Sequence, residues 1–278
     1  MSKQRTHYVT TTDGVTIGGT VHGQGRPLVF LHGIIGDGDL DWRALLPHLT
    51  GKFTCYLPSW RGRGLSGDHP DLNWGRLVDD VVAYVDSLGE LPGLVGWSAG
   101  GGVALAVAGA QPDGVNAVAI VGPIMPWLMD EHVRAALGGA VARMGQLAAE
   151  GRLTDAVRAF AAFPFNDQDI AVAAETGYFE AAGRYVPNLL NVQQQAMGYK
   201  GPTPADPAVL GAISSPVLVL RGSDSKPYEL AAARHVAAHV ANARIQEIPA
   251  AGHAIPLTHP EALAQALAEF FAPAQQLA

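Results

Sequence analysis

The stretch Gly96-Trp97-Ser98-Ala99-Gly100 decides the fold of this chain. Apolar residues before it indicate the end of a buried strand, and the small residues after it indicate a helix. Such a turn is typical of a nucleophile elbow, in which a strained backbone presents a catalytic serine. Strand and helix nearly touch in an elbow, so Gly96 and Gly100 supply clearance that side chains would remove. The spacing therefore predicts Ser98 as a nucleophile.

A serine nucleophile needs a histidine base and a carboxylate that fixes the tautomer of the imidazole. Asp224 follows one apolar strand pattern, and His253 follows the next. In a doubly wound sheet, the carboxyl ends of the parallel strands meet at one edge. We therefore predict a triad of Ser98, Asp224 and His253, with Glu229 as the next candidate for the acid.

The oxyanion of such a reaction needs hydrogen-bond donors that face the serine. An apolar strand pattern at 27–31 runs into a glycine-containing loop, 32–36. We predict that the backbone N–H groups of Ile34 and Ala99 form the oxyanion hole. His32, next to Gly33, is expected to have a structural hydrogen-bonding role.

These motifs resemble those of the α/β-hydrolase superfamily, and the resemblance covers nearly the whole chain. The order Ser98, Asp224, His253 is the family order. Trp42 and the loop 61–66 also match family positions. The resemblance implies an α/β-hydrolase fold, which is an α/β fold with a mostly parallel, doubly wound sheet and an inserted helical cap.

Two positions depart from the family pattern. Ser59 stands where the family often has an aspartate, so a carboxylate that braces the loop is missing and the local packing must differ. Asp224 lies two residues after Gly222, where relatives commonly have three.

The chain divides into a core and an inserted segment. Strand and helix patterns alternate in residues 1–122 and 215–278, as a parallel sheet requires, and one helix is expected at 40–49. Residues 123–214 lack a strand-like run. Apolar residues there recur at helical spacing, on a face formed by Val133, Leu137, Val141, Met144 and Leu147. We expect this segment to form a helical cap over the active site.

Composition fits one globular unit, since 278 residues with 48% hydrophobic content can bury a large core. The net charge of −7 argues against nucleic acid or an anionic membrane as a partner. The single cysteine, Cys55, excludes an intrachain disulfide and is expected in the core. Residues 1–14 lack the apolar segment of a signal peptide, so a cytoplasmic location is expected.

Neither a metal nor a cofactor is expected. The acidic run 37–41 does not fit a calcium loop, because Trp42 and His48 occupy the positions of the required glycine and glutamate. Apolar residues near the predicted elbow and in the cap could line the substrate pocket. These residues are Ile35, Trp97, Met125, Trp127 and Phe163.

The triad and the resemblance together imply a carboxylesterase-like serine hydrolase. Its expected partner is a small neutral ester, lactone or thioester, cleaved through an acyl-enzyme. Two alternatives stay open. The same residues could support C–C bond hydrolysis, perhydrolase or lyase chemistry, or the fold could serve as a non-catalytic small-molecule receptor. A homodimer is also left open.

Overall fold

The computed structural model describes residues 5–272. Eight strands form one sheet in the order β1-β2-β4-β3-β5-β6-β7-β8. Their bounds are β1 Arg5–Thr10, β2 Thr16–Gly23, β3 Arg26–Leu31, β4 Phe53–Pro58, β5 Gly93–Trp97, β6 Ala117–Val121, β7 Val217–Gly222 and β8 Ala243–Ile248. β2 pairs antiparallel with β1 and β4, and every pair from β4 to β8 in the sheet is parallel.

Twelve α-helices connect or cover these strands in the described part of the chain. Their bounds are α1 Gly38–Trp42, α2 Trp74–Asp86, α3 Ala99–Ala110, α4 Glu131–Ala149, α5 Leu153–Ala161, α6 Asp167–Glu175, α7 Tyr178–Ala182, α8 Val186–Gly198, α9 Pro207–Gly211, α10 Pro227–His239, α11 Ile255–Thr258 and α12 Pro260–Phe270. Short 3₁₀ turns lie at Leu46–His48, Pro126–Leu128 and Gly183–Tyr185.

The sheet has a hydrophobic layer on each face, which explains why its central strands are continuous apolar runs. Successive side chains of a strand point to opposite faces. In β3, Leu28 and Phe30 join a core that contains residues of α1, α12 and the 123–214 segment. Val29 and Leu31 join the other core, which contains residues of α2, α3 and α10. The sheet is therefore covered by helices on both sides.

The prediction of one helix over residues 40–49 is wrong. α1 ends at Trp42, and only a 3₁₀ turn follows at Leu46–His48. Pro47 lies inside that turn, and a proline there removes a helical hydrogen bond and clashes with the preceding turn. The apolar residues of 40–49 do recur at helical spacing, but Pro47 prevents one continuous helix.

The predicted cap segment, 123–214, contains helices and turns and no strand. On the expected face of α4, Met144 and Leu147 are buried and the more N-terminal members are half-buried. α6 packs against α11 and α7 packs against α1, so the segment lies over loops that follow strands of the sheet. α9 instead packs against α3 and α10 of the core. The division into core and cap stays a prediction.

Residues 5–272 contain neither a membrane-spanning helix nor a metal-binding cluster of side chains. No helix in this range is long and apolar enough to cross a membrane. No group of three or more metal-binding side chains in this range is close enough together to hold a metal ion. Cys55 is buried on β4, where burial raises the pKa of its thiol to about 12.

Candidate active site

The turn between β5 and α3 has the strained geometry that the sequence predicts. Ser98 has φ 55° and ψ −119°, a conformation that L-residues rarely adopt. A Cβ atom on Gly96 would lie 2.3 Å from the carbonyl oxygen of Gly100, and one on Gly100 would lie 2.3 Å from that of Leu31. Only glycine therefore fits at these two positions, and the strain is concentrated at Ser98.

His253 lies beside this turn. The indole N–H of Trp97, the residue before the serine, donates to the carbonyl oxygen of His253 at 3.0 Å. A Cβ atom on Gly122 would lie 3.0 Å from Nδ1 of the same ring. Gly122 directly follows Val121, whose carbonyl oxygen accepts from the Ser98 N–H at 2.9 Å. The imidazole is 2% exposed, and β5, β6 and the histidine loop hold it next to the turn that carries Ser98.

A buried carboxylate contacts the imidazole. Nδ1 of His253 donates to Oε2 of Glu229 at 3.0 Å, and Glu229 has no exposed surface. The other oxygen, Oε1, accepts from the backbone N–H of Lys226 at 3.2 Å in the first turn of α10. Because the proton is on Nδ1, Nε2 carries a free lone pair. This is the tautomer that can accept a proton from a serine hydroxyl.

The predicted position of the acid, Asp224, needs correction. Its side chain is exposed, and its carboxylate accepts a hydrogen bond from Ser223 Oγ at 3.1 Å. Only its backbone reaches the histidine loop, where the N–H donates to the carbonyl oxygen of Ala251 at 3.0 Å. After β7 the chain turns toward solvent at Asp224, and Glu229 in the first turn of α10 contacts His253. Glu229 is the third residue of α10, a helix that starts with Pro227.

Two backbone amides fit the predicted oxyanion hole. Within residues 5–272, no acceptor is found for the N–H groups of Ile34 and Ala99. The neighbouring Ser98 N–H is already used by Val121. Ala99 is the first residue of α3, so the positive end of that helix dipole also favours a negative charge here. The role of both amides as oxyanion donors stays a prediction.

The loop after β3 is held by His32. Nδ1 of His32 donates to the carbonyl oxygen of Gly33 at 2.7 Å, and Nε2 accepts from the N–H of Trp60 at 3.0 Å. Burial lowers the pKa of this imidazole to about 3, so it is neutral at physiological pH. Both ring nitrogens are occupied, which agrees with the expected structural role.

The same loop is held by Asp41, which the sequence analysis did not single out. Its Oδ2 accepts from the N–H of Gly33 at 2.8 Å, and its Oδ1 accepts from the hydroxyl of Tyr178 in α7 at 2.9 Å. The residue is fully buried, and burial raises the pKa of its carboxyl to about 8. A group of the 123–214 segment therefore reaches the loop that carries Ile34.

Replacing Asp41 by asparagine should remove a pH dependence of stability. The pKa is 3.8 for an ordinary aspartate and about 8 in the folded protein, so the folded state binds the extra proton between these values. The free energy of unfolding should therefore fall as pH rises from about 4 to about 8, by at most about 1.4 kcal/mol per pH unit from this group. Asparagine imitates the protonated acid.

Urea denaturation of both proteins across this range provides the measurement. We expect the stability of Asp41→Asn relative to wild type to rise with pH over this range. A flat difference would mean that Asp41 has an ordinary pKa in the folded state.

A carboxylate of α6 holds the histidine loop. Oδ2 of Asp169 accepts from the N–H of His253 at 2.9 Å and from the N–H of Asn166 at 3.2 Å. Asp169 is fully buried, and burial raises the pKa of its carboxyl. This contact also escaped the sequence analysis, because spacing along the chain does not show which helix meets a distant loop.

Three of the predicted pocket residues lie in the core. Ile35, Trp97 and Met125 are 4%, 2% and 2% exposed. Trp97 packs under the histidine, with ring centroids 5.8 Å apart. The ring centroid of Phe165, in the 123–214 segment, lies 6.0 Å from that of His253. Substrate contact by the first three stays a prediction.

The other two predicted pocket residues are half-buried. Trp127 packs edge-on against Trp74 with centroids 5.1 Å apart. Phe163 stacks on Tyr228 at 5.0 Å, and both line a surface groove of about 460 Å³ between α4, α5 and the start of α10. Phe163 therefore faces this groove, and contact of Trp127 and Phe163 with a substrate stays a prediction.

Comparison with known proteins gives consistent matches. Residues 28–266 match the model of the Alpha/beta hydrolase family. The chain is 27% identical over 262 residues to 2-(acetamidomethylene)succinate hydrolase of Mesorhizobium japonicum, covering 92% of this chain and 91% of that protein. It is 26% identical over 255 residues to N-formylmaleamate deformylase of Pseudomonas putida, covering 84% of each.

A shorter match and a solved structure agree with these. Over 107 residues the chain is 32% identical to pyrrolizixenacetamide deacetylase of Xenorhabdus hominickii, which is 38% of this chain and 40% of that protein. The crystal structure of an alpha/beta hydrolase from Sphaerobacter thermophilus superposes with a TM-score of 0.70 at 26% identity. The superposition covers 95% of this chain and all of that one.

Proposed function

Because the chain belongs to the alpha/beta hydrolase family, we propose that its hydrolase chemistry uses Ser98 as a covalent nucleophile. The proposed substrate is a small carboxylic ester, lactone or thioester. The observation that carries this proposal is the buried pair of His253 and Glu229 beside a strained serine. A buried carboxylate on Nδ1 has a clear chemical use, because it stabilises the imidazolium that forms when the serine is deprotonated.

The proposed reaction has two halves. Nε2 of His253 takes the hydroxyl proton while Oγ of Ser98 attacks the acyl carbon, and the imidazolium then returns the proton to the leaving alcohol or thiol. In the second half, His253 takes a proton from water, which attacks the acyl-enzyme, and the imidazolium then protonates Oγ of Ser98 as the acid leaves. Glu229 stays ionised throughout and holds the ring in one tautomer.

The negative charge of each tetrahedral intermediate is proposed to lie between two amides, those of Ile34 and Ala99. Removing one such donor costs about 3 kcal/mol of transition-state stabilisation in comparable sites. Both donors are backbone groups, so a side-chain substitution at either residue leaves the N–H in place.

An acyl-enzyme predicts a common intermediate, which can be measured. Two esters with the same acyl group, such as p-nitrophenyl butyrate and phenyl butyrate, should give the same acyl-enzyme. With hydroxylamine added, the ratio of hydroxamate to acid should therefore be identical for both leaving groups, although their rates differ. Acid-quenched intact mass spectra should show the butyryl group on the protein.

A product ratio that depends on the leaving group would contradict the acyl-enzyme. Turnover of an ester without any trapped hydroxamate would point instead to direct attack of water, as in the C–C hydrolase alternative. Binding of esters with no product at all would favour the receptor alternative.

A second substrate class is favoured by the comparisons. Three relatives are named for acyl groups on nitrogen: an acetamide deacetylase, an (acetamidomethylene)succinate hydrolase and an N-formyl deformylase. Two of these matches cover more than four fifths of the chain. The same serine chemistry cleaves an acyl–nitrogen bond if His253 protonates the leaving nitrogen.

Matched ester and amide pairs separate the two classes. Phenyl acetate and N-acetyl enamines of similar size carry the same acyl group, so a difference in kcat/KM reports the leaving group. An esterase should prefer the ester strongly. A kcat/KM for the amide equal to or above that of the ester would assign the chain to the second class.

A further inference from the structure

The loop between β3 and α1 is held by a buried arginine from another loop. Nη1 of Arg63 donates to the carbonyl oxygens of Ile34 at 2.7 Å and Gly36 at 2.8 Å. Nε of Arg63 donates to Oδ1 of Asn188 in α8 at 2.8 Å. The side chain is 1% exposed and lies between the rings of Trp60 and Tyr185. One guanidinium therefore joins the loop to the 123–214 segment.

The arginine contact fixes the direction of a peptide plane. In a planar trans peptide, the carbonyl of one residue and the N–H of the next point in opposite directions. His32 holds the carbonyl of Gly33, which fixes the peptide that contains the Ile34 N–H. Arg63 holds the carbonyl of Ile34, which fixes the peptide on the other side of the same Cα atom. Both dihedral angles of Ile34 are thus set by buried basic side chains.

We propose that Arg63 is a positioning residue for the oxyanion hole, with Asn188 holding it from the 123–214 segment. This inference rests on the proposed function of Ser98 and Ile34. Arg63 does not touch the substrate. It turns the carbonyls of Ile34 and Gly36 away from the serine so that the Ile34 amide faces the oxyanion.

Stability alone gives little reason for an arginine at this place. Burial of a guanidinium is unfavourable unless its N–H groups are paired, and within residues 5–272 no partner is found for Nη2 of Arg63. Burial lowers the pKa of this side chain to about 10, because it destabilises the charged form of the guanidinium. The paired groups, Nη1 and Nε, are the ones that hold the loop and the cap segment.

Arg61 provides a matched control two residues away. It is equally buried at 1% exposure, but its guanidinium pairs with Asp80 at 2.6 Å and with Asp13 at 3.0 Å. These partners lie away from the loop that carries Ile34. A conservative change there tests the effect of disturbing a buried arginine without disturbing the oxyanion loop.

The experiment compares Arg63→Lys and Arg63→Met with Arg61→Lys. Lysine keeps the charge but loses the fixed geometry of the guanidinium. We expect both Arg63 variants to lower kcat/KM for p-nitrophenyl butyrate about 100-fold, as misplacement of a catalytic group by about 1 Å does, mainly through kcat. Arg61→Lys should lower the melting temperature while the folded protein keeps its kcat/KM.

Inhibitors separate a positioning role from a general loosening of the fold. A trifluoromethyl ketone forms an oxyanion on Ser98, so its affinity should fall in the Arg63 variants by the same factor as kcat/KM. The ether 1-methoxybutane, which carries no carbonyl or anionic oxygen, should bind unchanged. If the Arg63 variants do not fold, Asn188→Ala, at a half-buried position, should show a smaller loss of both kcat/KM and ketone affinity, in parallel.

The proposal is overturned if folded Arg63→Met, or Asn188→Ala in its place, keeps the wild-type kcat/KM. It is also overturned if the affinity for 1-methoxybutane falls as much as that for the ketone, since that pattern means a general loss of structure. Failure of the proposed function looks different. In that case, the wild-type protein itself would form no adduct with the ketone.

Discussion

Ser98→Ala should lose nearly all turnover, on the order of a million-fold in kcat for p-nitrophenyl esters. The reason is that the hydroxyl is the atom that bonds to the acyl carbon, and the strained turn at φ 55° presents no other nucleophile there. The residual rate should equal the rate that the oxyanion-hole amides and substrate binding give without the serine hydroxyl. Steady-state kinetics with active-site titration of the wild-type protein provides the measurement.

Ser223→Ala is the matched control, because Ser223 lies exposed beside Asp224. It should keep wild-type kinetics. Circular dichroism should show that Ser98→Ala folds, since alanine keeps the Cβ atom and leaves the backbone conformation of this turn unchanged. Turnover of Ser98→Ala within tenfold of wild type would exclude a covalent role for this residue.

Glu229→Gln should lower kcat on the order of 10⁴-fold with little change in fold. Glutamine keeps Oε1, which accepts from the Lys226 N–H, so the start of α10 is preserved. Its amide would place a donor against Nδ1 of His253, so the ring would shift its proton to Nε2. That tautomer cannot accept the serine proton, and the loss is therefore one of kcat.

Asp224→Asn tests the residue that the sequence order favoured. Its carboxylate is exposed and turned toward Ser223, so the variant should keep its kcat/KM at every pH. A large loss in Asp224→Asn together with an active Glu229→Gln would reverse the assignment of the acid.

The fold was predictable from the sequence because its signals are local. The α/β-hydrolase fold with a mostly parallel sheet is confirmed by the family match and by the strand pairing. Apolar runs mark strands that are buried on both faces, and the glycines at 96 and 100 mark a close approach of strand and helix. Each of these features depends on a few neighbouring residues.

The acid could not be assigned by local signals. Asp224 and Glu229 both follow β7, and the difference between them is the direction of the turn that connects β7 to α10. That direction depends on Gly222, where a Cβ atom would lie 1.9 Å from the Ala251 carbonyl oxygen. The close approach leaves the Asp224 side chain outside and brings the first turn of the helix to His253.

The groups that hold the site were missed for a related reason. Asp41, Arg63 and Asp169 look like surface charges in a one-dimensional sequence, and polar residues are usually exposed. All three are buried. Arg63 and Asp169 each contact a loop of the site from a distant part of the sequence, and Asp41 contacts one from the helix that follows it. Ser59 stands where the family often has an aspartate, and its Oγ accepts from the Gly38 N–H. The carboxylate that holds the loop after β3 comes from Asp41 instead.

Peptide mapping of the protein after reaction with a fluorophosphonate probe tests the central claim most directly. The probe reacts only with an activated serine, and its phosphoryl oxygen needs the same donors as the substrate. We predict a single adduct on Ser98, formed quickly in wild type, slowly in Glu229→Gln and not at all in Ser98→Ala. Labelling at Ser66 or Ser223, or equal labelling of Ser98 in wild type and Glu229→Gln, would contradict the account.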